Sequence, residues 1–221
     1  MNLTKIKGLK YPDEYFIKFF FKFGLHAKQD LTYLEVGCSN GCNLMLPYQY
    51  NNDVIGVDLN ENLIEYANEN FALMNSKQPY KFYKNDMRTF CAKNSNINAD
   101  VLVLANSIYY IPKQDFKTVL KDIKQNSLIR HNIPLFIRFR DIDDFRNDKG
   151  EVVEENSLIM QNGTTGEDGV FCAFYTMEEM VTLLKNELNL HDFETMHIRY
   201  DNIQNNTKVN NSDIVIWGLI N

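Results

Sequence analysis

The stretch YLEVGCSNGCNL, residues 33–44, offers two chemistries in one set of residues. Gly37, Ser39 and Gly41 spell G-x-S-x-G, the turn that lifts a hydrolase serine out of a strand-to-helix corner. Read with Glu35 ahead of it, the same run is a glycine-rich loop of the kind that cradles a nucleotide-like cofactor. A second acid, Asp58, closes the apolar run DVIGVDL at 53–59, 21 residues after Gly37. An acid at that distance suits the ribose diol of an adenosine, whose two hydroxyls donate to one carboxylate.

The elements that must hold these residues alternate. Strands are expected over 31–36, 53–59, 80–86, 99–107 and 133–141, where β-formers run together. Between them the 3.6-residue period predicts helices over 60–74 and 113–126, with short helices through Phe90 and through Leu44 and Leu46. The latter should end at Pro47. Ahead of the first strand, Pro12, Asp13 and Glu14 mark a helix start, Phe16, Phe19, Phe20 and Phe23 share one face, and Gly24 stops the helix. TMEEMVTLLKNEL, 176–188, carries a Thr-x-x-Glu capping box at Thr176 and Glu179. FETMHIRYDNI and DIVIWGLI read as a closing pair of strands. Such alternation implies a buried, mostly parallel sheet with helices on both faces and one antiparallel strand near an edge. Ligands of such sheets bind beyond the carboxyl ends of the strands, at the switch point after the first one.

Composition narrows the classes. The chain has 221 residues, 44% hydrophobic and 24% charged, enough for one domain with a full core. A formal net charge of -6 argues against a nucleic-acid partner. Cys38, Cys42, Cys91 and Cys172 form no C-x-x-C, and no histidine stands near the first two, so no metal site is expected and free thiols in a reducing cytoplasm are. The apolar run YFIKFFFKFGL is too short and too charged to span a membrane.

The two readings of the opening stretch meet different difficulties. A nucleophile elbow normally follows several strands, and this one follows the first. Its late histidine could be His191 or His197 and its acid Asp143 or Asp144, but no oxyanion stretch of the H-G-G type precedes it. A dinucleotide loop expects G-x-G-x-x-G, and here the middle position is Ser39 and the third glycine is missing.

LEVGCSNGCNL resembles motif I of the class I S-adenosylmethionine-dependent methyltransferases. VIGVDLNENLIEYA is similar to their second motif, YKNDMRTF to their third and DVLVLANSIYYI to their fourth-strand motif, in order and spacing over about 31–140. The resemblance implies an α/β fold of three layers, Rossmann-like, with a mostly parallel seven-stranded sheet and an antiparallel last strand. It implies S-adenosyl-L-methionine as cofactor. Glu35, Gly37, Cys38, Ser39 and Gly41 would shape the methionine end. The amides of Cys38 and Ser39 would take its carboxylate, and carbonyls at Gly37 and Ala105 its ammonium. Asp58 and Leu59 would hold the ribose, and Asp86 and Met87 the adenine. Ser39 then becomes a turn residue chosen for size. Beside this enzyme reading stand a non-catalytic S-adenosylmethionine binder or regulatory protein and, third, an NAD-dependent oxidoreductase.

The acceptor implied is a small molecule, with a hydroxyl of a sugar or metabolite suggested by similar bacterial proteins. Tyr109, Tyr110, Arg140 and Tyr11 are the candidates for its pocket. Arg140 would meet an anionic substrate, or else pair with an acid among Asp141 to Asp144. Within a single domain over 1–221, residues 1–28 would form an aromatic lid and 142–175 a substrate cap. A monomer or a homodimer, cytoplasmic and off the membrane, is expected.

Overall fold

The computed structural model describes residues 3–221 except 75, 162, 164 and 165. Five strands come first: β1 (Thr32–Val36), β2 (Asp53–Asp58), β3 (Tyr80–Lys84), β4 (Val101–Ala105) and β5 (Ile133–Arg140). They are parallel, in the order β3-β2-β1-β4-β5, so the chain winds outward from β1, returns to β4 and winds the other way. The crevice between the diverging crossovers therefore lies at the carboxyl ends of β1 and β4. The last two strands, β9 (His191–Gln204) and β10 (Thr207–Ile220), form a hairpin. β10 lies antiparallel between β5 and β9, completing a seven-stranded sheet. This is the three-layer Rossmann-like methyltransferase architecture, with the antiparallel last strand expected.

The period-2 alternation of the strands divides the core. Leu34, Leu102 and Ile137 face one layer, filled by α4 (Met87–Lys93), α5 (Lys113–Gln125) and α6 (Met177–Leu188). Tyr33, Val103 and Phe136 face the other, filled by α1 (Glu14–Lys22), α2 (Met45–Gln49) and α3 (Glu61–Ala72). Phe16, Phe19 and Phe20 are fully buried there, with Phe16 edge-on to Phe136 at 5.5 Å. The aromatic face of α1 is thus core packing.

Three local expectations change. Asp13, not Pro12, starts α1: its Oδ1 accepts from the amides of Tyr15 and Phe16. Pro47 does not end α2 but sits in its first turn, where a backbone N–H would have no helical partner. The segment 142–175, for which the sequence predicts no strands, is the third. It carries a three-stranded antiparallel sheet of β6 (Gly150–Glu154), β7 (Ser157–Met160) and β8 (Phe171–Ala173). Other elements fall within a few residues of expectation, and Gly24 ends α1 with φ 65°. The Thr176 hydroxyl accepts the Glu179 amide at 3.0 Å, as the capping box requires.

Candidate cofactor and acceptor site

The floor of the crevice is the turn after β1. Gly37 has φ 82°, and a Cβ there would stand 2.1 Å from the Cβ of Ser107. Glycine is required twice over, by conformation and by contact. Ser107 in turn donates to the carbonyl of Val36 at 2.8 Å, tying the ends of β1 and β4 together. Ser39 has φ 51°, and its amide donates to Asp58 Oδ2 at 2.8 Å. The amides of Gly37 and Cys38 both donate to the Val57 carbonyl, at 2.7 and 2.9 Å.

This overturns one expectation. The amides of Cys38 and Ser39 are bonded within the fold and are not held out for a ligand carboxylate. The same fact argues against a dinucleotide, because a pyrophosphate needs free amides at this turn. It also answers the question of Ser39. His197 bonds to Asp141 and Ser212, His191 to Asn132 and the Asn189 carbonyl, Asp143 to Arg199 and Asp144 to Arg146. The residues a hydrolase triad would require are engaged along β9 and its neighbours, so Ser39 is a turn residue.

Two cavities open on this floor and share a wall of Gly37, Asp58, Ser107 and Tyr110. One, of about 370 Å³, runs past Leu59, Asn85, Asp86 and Met87 toward β2 and β3. The other, of about 460 Å³, runs over Glu35, Cys38, Ser39 and Ala105 toward the N-terminal segment, where Leu9, Tyr11 and Asp13 close it. Glu35 is 1% exposed; its Oε1 accepts from Asn43 Nδ2 at 2.7 Å, and its Oε2 has no hydrogen-bond partner. Burial pushes its carboxyl up to about 8, against the Asn43 hydrogen bond, with the nearby charges of Asp58 and Asp13 adding to the rise. Asp58 accepts the amides of Ser39 and Asn60 while lining both cavities, and Asn60, not Asp58, caps α3. Asp86 caps α4 through the Arg88 amide and holds the Arg88 side chain at 2.6 Å, which keeps its carboxyl below the usual range.

Leu59, Asp86 and Met87 meet in the first cavity, Glu35, Cys38, Ser39, Ala105 and Tyr11 in the second, and Gly37, Asp58 and Tyr110 in both. Gly41 lies behind them, its φ of 73° and close approach to Phe71 and Phe82 serving the turn. Tyr109 is buried in the core and lines neither cavity. Arg140 is also buried outside both linings. Its partner is none of Asp141 to Asp144 but Glu167 at 2.6 Å, and its guanidinium lies 4.3 Å from the Tyr109 ring. Asp13, Asn43, Asn106 and Glu167 also line the cavities, and the sequence does not mark them as site residues. Asp13 reads as a helix cap alone, and the other three come from a turn, a strand end and the insertion with no motif to mark them.

The comparisons with known proteins agree with this fold. Residues 34–126 match the model of a methyltransferase domain family. The chain is similar in fold to a solved SAM-dependent methyltransferase from Methanosarcina mazei, at 16% identity and a TM-score of 0.65, covering 90% of this chain and 98% of that one. A SAM-dependent methyltransferase from Archaeoglobus fulgidus is 13% identical with a TM-score of 0.61, over 94% of this chain and 100% of that one. The magnesium protoporphyrin IX methyltransferase of Synechocystis, solved with SAM bound, is 13% identical with a TM-score of 0.56, over 93% and 76%. None of the curated proteins matches the chain in sequence. The architecture is that of the Rossmann-like methyltransferases. Together with the methyltransferase-domain match over residues 34–126, it supports an enzyme whose methyl donor is S-adenosylmethionine. Among the described residues no cluster could hold a metal ion, and no helix is long and apolar enough to cross a membrane.

Proposed function

We propose that the chain transfers a methyl group from S-adenosylmethionine to a small-molecule acceptor, with Asp58, Leu59, Asp86 and Met87 on the nucleoside and Glu35, Gly37 and Ala105 on the methionine end. The observation that carries this reading is the pairing of a turn whose Gly37, Cys38 and Ser39 amides are bonded within the fold with a buried, half-satisfied carboxylate. That combination suits a ligand with an ammonium group and no pyrophosphate. Asp58 keeps acceptor capacity for a diol beyond its two amide bonds. Asp86 has less to offer an adenine amine, because Arg88 already occupies both its oxygens. We assign the adenine contact chiefly to Met87 and Leu59, by packing.

The N-terminal segment acts as the lid over the methionine end, through Leu9 and Tyr11. The 142–175 insertion covers the nucleoside side, where Gly166, Glu167 and Val170 join the first cavity. The chemistry the donor supplies is an activated methyl group. What remains for the protein is to hold an acceptor in line and keep water out. Calorimetric titration with S-adenosylmethionine, S-adenosylhomocysteine and NAD tests the reading. The adenosyl ligands bind, NAD does not, and Asp58→Ala weakens them about 10- to 100-fold, the worth of one or two charge-assisted hydrogen bonds. Binding of NAD alone would overturn it.

A further inference from the structure

We infer that the methyl acceptor is an uncharged aromatic nitrogen base, a flat compound whose ring nitrogen keeps its lone pair at neutral pH; the assignment rests on the methyltransferase reading above. The first ground is charge. Among the described residues, the walls of the two cavities carry the carboxylates of Asp13, Asp58, Asp86 and Glu167, the carboxyl of Glu35, and a single cation, Arg88, which Asp86 and Asp115 already hold. The arginines behind the walls are engaged as well: Arg138 by Asp13 and Asp213, Arg140 by Glu167. Among the described residues, an anionic acceptor therefore meets no uncommitted cation, and like charge next to it disfavours entry.

The second ground is that, among the described residues, the wall offers no uncommitted base for the acceptor's proton: Asp58 is given to the ribose in the reading above, Asp86 is held by Arg88, and Glu167 by Arg140 and Tyr110. No histidine lines either cavity. Asp13 Oδ1 accepts the Tyr15 and Phe16 amides, and its Oδ2 takes Arg138 and Asn106. Glu35, with its carboxyl near 8, already holds a proton through most of the neutral range. Tyr110, pushed up to about 12 by burial, donates its own proton to Glu167. A hydroxyl acceptor would need a base to take its proton. A thiol reacts as its anion, and a saturated amine at neutral pH carries a proton on its lone pair. A ring nitrogen needs none of this. Its lone pair forms the bond to the methyl carbon, the electrons of the breaking C–S bond stay on sulfur, and the positive charge passes from sulfur to nitrogen. No proton moves.

The third ground is shape. Tyr11 is 69% exposed and Leu9 61% exposed at the mouth of the second cavity, with Tyr110 opposite on the shared wall. Exposed aromatic and aliphatic faces around a concave site suit a flat apolar ring. The methylated product is a cation, which the same tyrosines and carboxylates favour.

The test uses three bicyclic probes of one size on protein saturated with S-adenosylhomocysteine: quinoline, N-methylquinolinium and 2-naphthoate, each titrated by ligand-observed NMR. Quinoline and N-methylquinolinium are expected to bind at least tenfold more tightly than 2-naphthoate. Naphthoate binding as tightly, or no binding by the nitrogen pair, overturns the assignment. In Glu167→Gln, which frees Arg140 beside the cleft, the naphthoate-to-quinoline affinity ratio should rise at least fivefold; an unchanged ratio contradicts the charge argument. Binding of S-adenosylhomocysteine is measured first by itself, and its absence would count against the methyltransferase reading instead.

Discussion

The floor of the cleft and its N-terminal cover are built in different ways. The floor is fixed by exclusion: Gly37 presses on Ser107, and amides close on the Val57 carbonyl and Asp58. The cover is fixed by side chains reaching for backbone. The buried Asn40 donates to the carbonyls of Lys7 and Leu9, both at 2.7 Å, and Asn70 both donates to the Lys7 carbonyl and accepts its amide. A floor held by sterics has one state. A cover held by four hydrogen bonds can let go at a cost of a few kcal/mol, which is what a segment over a binding site requires.

The largest effect should come from breaking the floor. Gly37→Ala adds a Cβ into Ser107 at a positive φ and should cost about 3 kcal/mol, overpacking plus backbone strain, read by urea unfolding. Gly24→Ala, also at positive φ but with nothing within 4 Å of the new Cβ, should cost only about 1 kcal/mol. Combining Gly37→Ala with Ser107→Gly should recover part of the loss. Equal costs at the two glycines would mean that contact does not define the floor.

The cover should be weaker. Asn40→Ala leaves a buried position without its two hydrogen bonds to the Lys7 and Leu9 carbonyls and should cost about 2 kcal/mol, with faster proteolytic cleavage within residues 3–13. Undiminished protease resistance would show that packing, not Asn40, holds the segment.

A smaller effect separates the two regions by pH. Glu35 on the floor has a folded-state value near 8, above the roughly 4.3 of an unfolded glutamate. The folded protein therefore binds a proton that the unfolded chain has lost, and stability should fall as pH rises from about 4.5 to 8, then level off. Glu35→Gln should flatten that slope. A ligand ammonium prefers the ionised carboxylate, so affinity for S-adenosylhomocysteine should rise over the same range. Least of all, Tyr11→Ala at the rim should change stability by less than about 0.5 kcal/mol while weakening quinoline binding.

The floor was far more legible in the sequence than the cover, for physical reasons. Gly37, Asp58 and Asp86 lie at fixed offsets from strand ends, so periodicity and turn chemistry locate them. The continuous apolar strands likewise give the parallel sheet. The cover depends on long-range pairs: Asn40 meets residues 31 and 33 positions away, and Glu167 meets Arg140 across 27. Asparagines in this Asn-rich chain carry no local sign of such roles. Sheet strands as short and polar as Gly150–Glu154 lack the alternation that would reveal them. The amides at Cys38 and Ser39 depart from expectation because sequence shows that a turn has donors, not whether the fold has already used them.

One polar chain joins the two regions. Glu35 accepts from Asn43, whose side-chain oxygen takes the Asp13 amide; Asp13 takes Arg138, and Arg138 reaches Asp213 on β10. It crosses from the first strand through the entry of α1 to the last strand of the chain. A molecule that draws on the carboxylate at one end therefore acts against the opening of segments it never touches. Amide hydrogen exchange at the start of α1 and along β10 should slow together when the cleft fills, making the N-terminal helix and the C-terminal strand, the two extremes of the sequence, one unit of local unfolding.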